Sequence, residues 1–274
     1  MDEPVGGLVR ADGWWRVHTP ASWPVQAGVV DRTGDASVLR RACDRARSLI
    51  WAEQVHGASL AFVSRLDAAE QTIAGCDALA AEAPGVSLVI RTADCIPLIV
   101  ADPVRRAVAA AHAGWRGIAA GLPLRTIRNL AELSSSLSRN LWVWIGPCIR
   151  ACCYEVGAEF RAPFGRFVQE RGGRLWCDLP AAAADQLRRA GVPSARIVDS
   201  GLCTACDRAG HPRYAGVGDG SAGTRSVTAD PSRWYSVRRE GQQTGRLLSF
   251  IMLSTRSRQD RKSGNRSQKT ERGE

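Results

Sequence analysis

The chain predicts an α+β fold in a single domain, on three observations. Short apolar stretches with strand character mix with amphipathic segments at helical spacing, but without the strict alternation of a doubly wound sheet. No linker divides the chain into halves, and no internal repeat appears. At 274 residues, 45% of them hydrophobic, the chain is long enough to bury a substantial core.

Taken in order, residues 1–26 carry Trp14, Trp15 and Trp23 among Pro and Gly and read as an irregular segment. Ala36 to Ile50 is Arg-rich with apolar residues at helical spacing, which predicts a helix. Trp51 to Val63 reads as strand, turn and strand around GlnValHisGly. Val86–Ile90, Ile96–Ala101 and Ala107–Ala111 are apolar strands. Gly114 to Gly121 is a glycine-punctuated turn before a helix over Leu124–Leu137. Leu141–Ile145 is a strand ended by Gly146-Pro147. Gly157–Arg171 and Pro180–Ala190 read as helices, the second stopped by Gly191. Ile197–Ser200 is a short strand leading to Cys203-x-x-Cys206, and residues 207–230, rich in Gly, Ser and Asp, form a loop. Trp234–Ser236 and Leu247–Leu253 are the last expected strands.

The net charge of +10 suggests a polyanion partner, but its distribution argues against nucleic acid. Residues 254–274 hold seven Lys or Arg against three acids, so +4 sits in a polar tail expected to be disordered. The rest is modest, and suits anionic or phosphate-bearing substrates. No apolar run approaches a membrane span, and the acidic start is unlike a secretory signal. The expectation is a cytoplasmic protein with no membrane and no nucleic-acid partner. Nine cysteines then read as reduced thiols. A zinc ribbon needs two knuckles, and only Cys203-x-x-Cys206 has that spacing. Cys148 and the vicinal pair Cys152-Cys153 read as buried filler.

Of four histidines, His18 and His211 lie in Pro-flanked or loop contexts, whereas His56 and His112 stand beside strands. The segment Asp102-Pro103-Val104-Arg105 suits a turn. A hairpin closed by pairing Asp102 with Arg105 sets Cys95 opposite His112 on one face, with Cα atoms about 4.5–5.5 Å apart. A slip of one residue would separate them. Such a pair is either a nucleophile with its base or two ligands of a borderline metal. Convergence of His56 would favour the metal, because three protein ligands and an open corner are the pattern of catalytic zinc.

Five ordered motifs carry a resemblance: GlnValHisGly, ThrAlaAspCysIlePro (92–97), HisAlaGlyTrpArgGly (112–117), IleGlyProCysIleArgAlaCysCysTyrGluValGly (145–157) and TyrSerValArgArgGluGly…ThrGlyArg (235–246). Over residues 27–253 the chain resembles the YfiH family, also called the laccase-domain or multicopper polyphenol oxidoreductase family. The resemblance implies a single α+β catalytic domain over 27–253, with mixed β-sheets layered between helices, a fold akin to that of cytotoxic necrotizing factor. It implies that His56, Cys95 and His112 bind a catalytic zinc; one copper is the chemical alternative, because Cu²⁺ outcompetes Zn²⁺ at most N/S sites. It further implies a purine nucleoside phosphorylase that takes phosphate with adenosine, inosine or S-methyl-5'-thioadenosine and also deaminates adenosine. Editing of peptidoglycan precursors has also been attached to the family. Two departures stand out. Asp31-Arg32-Thr33-Gly34-Asp35 replaces an Arg-x-Gly-Gly-like element, and Val237 stands where an aromatic residue or His commonly precedes the paired arginines.

Deamination would use a metal-activated water against purine C6. Phosphorolysis needs cationic partners for phosphate, and the candidates are Arg116, Arg238, Arg239 and Arg246, each alternatively a surface or structural ion pair. Asp94 is a candidate to orient a ligand imidazole or move a proton, or else to cap a turn. Trp115 is placed to stack on a base or simply to pack. A four-copper laccase is excluded, because four histidines with no His-x-His cannot furnish its centres. The competing readings are a metal-free cysteine hydrolase built on Cys95 and His112, a single-copper polyphenol oxidase, and a non-catalytic basic binding module.

Overall fold

The computed structural model describes residues 5–64, 68–206 and 233–254. The expected loop at 207–230, His211 and the tail lie outside the described residues, apart from Ser254. Among them the chain runs β1 (Leu8–Arg10), β2 (Trp15–Val17), β3 (Val25–Val30), α1 (Ala36–Ala42), β4 (Ser48–Ala52), β5 (Leu60–Val63), β6 (Glu70–Ile73), β7 (Ala78–Ala81) and β8 (Val86–Thr92). It continues through β9 (Ile96–Asp102), β10 (Ala107–Ala113), α2 (Trp115–Ala119), α3 (Leu122–Leu133), β11 (Trp142–Ile145) and β12 (Glu155–Val156). The last elements are α4 (Arg161–Phe164), β13 (Val168–Arg171), β14 (Arg174–Cys177), α5 (Leu179–Arg189), β15 (Ile197–Asp199), α6 (Val237–Glu240) and β16 (Leu247–Leu253).

Two large mixed sheets form the body. One has the order β1-β2-β3-β16-β8-β4-β6 and the other β15-β11-β9-β10-β7-β5, while β12-β14-β13 is a small separate sheet. Between the large sheets lies a core that includes Val29, Ile50, Leu88, Ile90, Ile99, Val108 and Ile251. On the outer face of the six-stranded sheet, Leu98, Val100 and Ala109 pack with Ile127 and Leu130 of α3 and Leu179 and Leu187 of α5. On the outer face of the other sheet, Leu39 of α1 packs with Trp51, Val89 and Phe250. The layers therefore run helix, sheet, sheet, helix. The alanines of β10 at 107, 109, 110 and 111 are all fully buried, and their small side chains let this strand sit between both layers.

The structure corrects several expectations. The N-terminal segment is not irregular: Leu8–Arg10 and Trp15–Val17 form a hairpin that extends the seven-stranded sheet beyond β3. Three-residue strands are too short to show a period, and Trp15 hides in the inter-sheet core. The helix expected over Ala36–Ile50 ends at Ala42, because Ser48–Ala52 is a wholly buried strand between β8 and β6. Gly157–Arg171 is not one helix: it holds short turns, α4 and the strand β13, with Gly165 at φ +45° ending the helical part. Trp234–Ser236 is not a strand; Ser236 caps α6, its Oγ accepting from Arg239 N at 3.2 Å.

The β9–β10 hairpin also differs in register. Asp102 pairs with Ala107, and Pro97, not Cys95, pairs with His112. Pro103 cannot take the positive φ that two-residue hairpin turns need. The loop instead spans four residues, with Arg106 at φ +59° and Asp102 Oδ1 accepting from Val104 N and Arg105 N, both at 2.9 Å. The partner of His112 thus moves by two residues, and a two-residue shift leaves every side chain on its original face.

Candidate metal centre

Three chain crossings lead from the seven-stranded sheet to the six-stranded one, and each carries a residue of the site. His56 lies between β4 and β5, Asp77 between β6 and β7, and Asp94-Cys95 between β8 and β9. His112, near the end of β10, completes the group. One ligand atom from each of His56, Cys95 and His112 lies within 4.8 Å of the others. The two imidazoles meet edge to face, with centroids 4.8 Å apart and planes at 84°. His112 is 3% exposed, Cys95 is half-buried and His56 is exposed, so the group opens to solvent on the His56 side.

The buried carboxylate of Asp77 organises this group. Its Oδ1 accepts from His112 Nδ1 at 2.8 Å and from His56 N at 3.0 Å, while Oδ2 accepts from Gly57 N at 2.6 Å and Val55 N at 3.2 Å. With Nδ1 engaged, His112 has Nε2 left for a metal. The same oxygens hold His56 in the left-handed region, at φ +60°. Such strain in a bulky residue persists only when the surroundings enforce it. Burial opposes ionisation of Asp77, but the His112 and backbone hydrogen bonds hold its carboxyl below the usual range. Sequence reasoning passed over Asp77 because an aspartate in CysAspAlaLeuAla has no local signature.

Electrostatics tie the sulfur to the imidazoles. Burial alone would raise the Cys95 thiol, yet hydrogen bonds from His112 and His56 and their charge lower it to about 7. Burial likewise disfavours protonated His112, but Asp77 and Cys95 together raise it to about 9. A soft thiolate with two imidazoles suits zinc, and suits copper as well. The cradle fits a metal sterically too: a Cβ on Gly114 would stand 3.1 Å from Cys95 Sγ and 3.3 Å from His56 Cδ2. Glycine there leaves the ligands their space.

The other predicted residues separate into two groups. Asp94, at φ +81°, does not orient an imidazole: its Oδ1 accepts from Thr204 Oγ1 at 2.6 Å and its Oδ2 from Arg238 N at 2.7 Å, in the first turn of α6. The orienting role on His112 belongs by geometry to Asp77. Arg116 is exposed and stacks over Trp115 at 4.3 Å, two residues beyond Gly114. Arg238 lies over Tyr154 at 5.2 Å and donates to Glu155 O at 2.9 Å. Arg239 is committed to Thr204 O, Trp234 O and Glu240. Arg246 donates to Thr244 O and Gly245 O within its own turn. A row of aromatic rings joins the first two arginines. Trp115 lies 5.0 Å from Phe160, and Phe160 lies 5.7 Å from Tyr154. Tyr154 is half-buried within electrostatic reach of Cys95, and both burial and that sulfur push its phenol up.

Comparison with known proteins agrees with this architecture. The sequence model of the family described as multi-copper polyphenol oxidoreductase laccase matches residues 31–211. A purine nucleoside phosphorylase of Deinococcus radiodurans is 37% identical over 67% of this chain and 63% of its own length. One from Aquifex aeolicus, 36% identical over 47% of this chain, is likewise matched over only 60% of its length. The purine nucleoside phosphorylase SCO2081 of Streptomyces coelicolor is 34% identical over 82% of this chain and 83% of its own. In structure, YlmD from Geobacillus stearothermophilus superposes with a TM-score of 0.74 at 25% identity, covering 92% of this chain and all of that one. The α+β fold, the family's sequence model and the relatives agree: the chain belongs to the YfiH family of laccase-domain proteins.

Proposed function

We propose that this protein is a zinc-dependent purine nucleoside phosphorylase acting on adenosine, inosine and S-methyl-5'-thioadenosine, with a secondary adenosine deaminase activity. The observation that carries the reading is the convergence of His56, Cys95 and His112 beside an aromatic row bracketed by Arg116 and Arg238. The names of the relatives point to the same reaction class.

His56, Cys95 and His112 would hold the metal, which supplies Lewis acidity and a water that ionises near neutral pH. In phosphorolysis the bond from C1' to the purine nitrogen breaks and a bond from C1' to a phosphate oxygen forms, releasing base and pentose 1-phosphate. Arg116 and Arg238 provide the positive charge that positions phosphate. The half-buried faces of Trp115 and Tyr154 provide stacking surface for the base. The Tyr154 hydroxyl, kept protonated, offers a hydrogen-bond donor to the departing purine. Asp77 takes no part in bond making and holds the two imidazoles in position.

The test is incubation with each nucleoside and phosphate, measuring free base and pentose 1-phosphate. Base release should require phosphate, and should stop with a chelator or with His112→Ala. A metal-loaded protein that releases no base would overturn the reading. A second reading, a metal-free cysteine hydrolase, is favoured by the pairing of a thiol lowered to about 7 with an imidazole raised to about 9. It requires activity that survives chelation and dies on alkylation of Cys95.

A further inference from the structure

A second group of sulfurs lies outside this centre. Cys152, Cys153, Cys203 and Cys206 bring their four Sγ atoms within 4.8 Å of one another, with Cys152 and Cys206 Sγ at 3.4 Å. Thiolates about 2.3 Å from one zinc ion stand roughly 3.8 Å from each other, so these sulfurs have the spacing of a tetrahedron around a cation. All nine cysteines of the chain are free thiols.

Two loops far apart in sequence supply the four sulfurs. They run side by side through a parallel bridge between Cys148 and Cys203, with Cys148 N donating to Leu202 O at 3.3 Å and Thr204 N to Cys148 O at 3.1 Å. The backbone N–H groups of Ala205 and Cys206 favour the thiolate form of Cys203, as N–H groups do in a metal knuckle. Four thiolates around a divalent ion leave a net charge of about −2, which needs cationic neighbours. They are present. Arg238 donates to Cys153 O at 3.4 Å and Arg171 to Ala151 O, while Arg150, paired with Asp199, and Arg239, paired with Glu240, brace the second loop through Leu202 O and Thr204 O, both at 2.9 Å.

We propose that Cys152, Cys153, Cys203 and Cys206 form a tetrathiolate zinc site, separate from the group at His56, Cys95 and His112. Four protein ligands leave no open corner, so the site is structural. It clamps the turn at 203–206, whose Thr204 Oγ1 donates to Asp94, the left-handed residue that leads into Cys95. The second metal thereby stiffens the approach to the first.

The test is metal stoichiometry on the full chain purified under reducing conditions without chelator. Wild type should carry two zinc ions per chain, His112→Ala one, and the double variant Cys203→Ser with Cys206→Ser one. Cobalt(II) loaded into His112→Ala should give the intense visible and near-ultraviolet bands of a tetrahedral sulfur set. Should either variant fail to fold, the stoichiometry and cobalt spectrum of wild type decide the matter. One zinc per chain in wild type, with the four thiols titrating as accessible or found as disulfides by mass spectrometry, would overturn the proposal. The His112→Ala background makes this result independent of whether the protein is a phosphorylase.

Discussion

His112 Nδ1 donates to Asp77 Oδ1 at 2.8 Å, and the same oxygen accepts the backbone N–H of His56 at 3.0 Å. One carboxylate, delivered by the β6–β7 crossing, therefore orients one imidazole through its side chain and the other through its backbone. Replacing Asp77 with Asn keeps the shape but puts a neutral group where a charged acceptor stood. Metal affinity should fall by about 10–100-fold, the usual consequence of losing such a partner. Competition with a chromogenic chelator measures it, and unchanged affinity would show that Asp77 is a bystander.

The thiol of Cys95 supplies a pH test. In metal-free protein its lowering from the ordinary value of 9.0 to about 7 means that thiolate accumulates as pH rises through 7. Alkylation by iodoacetamide should follow that midpoint. His112→Ala removes the largest favourable partner, so the midpoint should rise, while added zinc should slow alkylation at every pH. A midpoint that stays put in His112→Ala would contradict the pairing.

Gly117 is a packing requirement rather than a hinge. A Cβ there would approach Gly57 O to 2.7 Å, and the carbonyl belongs to the turn that carries His56. Gly117→Ala should cost about 1–3 kcal/mol of stability, as overpacking does, and should weaken metal binding along with it. Denaturant titration and metal competition on the same preparation test both halves.

Asp31, 1% exposed, has a structural rather than chemical prediction attached. Its carboxylate accepts from Trp15 Nε1 at 2.7 Å, Arg10 at 2.6 Å, Thr33 Oγ1 at 2.6 Å and Thr33 N at 2.9 Å. Burial opposes its ionisation, yet these donors hold its pKa below the ordinary 3.8. A depressed carboxylate stabilises the fold above the ordinary carboxylate range and loses that contribution as pH falls through its folded value. Asp31→Ala leaves the Trp15 indole N–H buried without its partner, so stability at neutral pH should drop by about 1–3 kcal/mol. The gap to wild type should narrow in acid, and a constant gap down to pH 2 would argue against a charged Asp31.

What could be read from the chain was what local pattern controls. The strands β8 to β11 and the helices α3 and α5 announce themselves through apolar runs and helical spacing. That Cys95 and His112 share a face was legible although the pairing was misjudged, because side chains alternate with period two and the true register differs by two residues. The hairpins β1–β2 and β13–β14 were invisible, since strands of only three or four residues are too short to carry a measurable period. Asp77 and the four-cysteine cluster were out of reach for a different reason. Asp77 meets His56 and His112 only where crossings between the two stacked sheets converge, and the cysteines meet only because β11 and β15 pair in parallel and set the loops that follow them side by side.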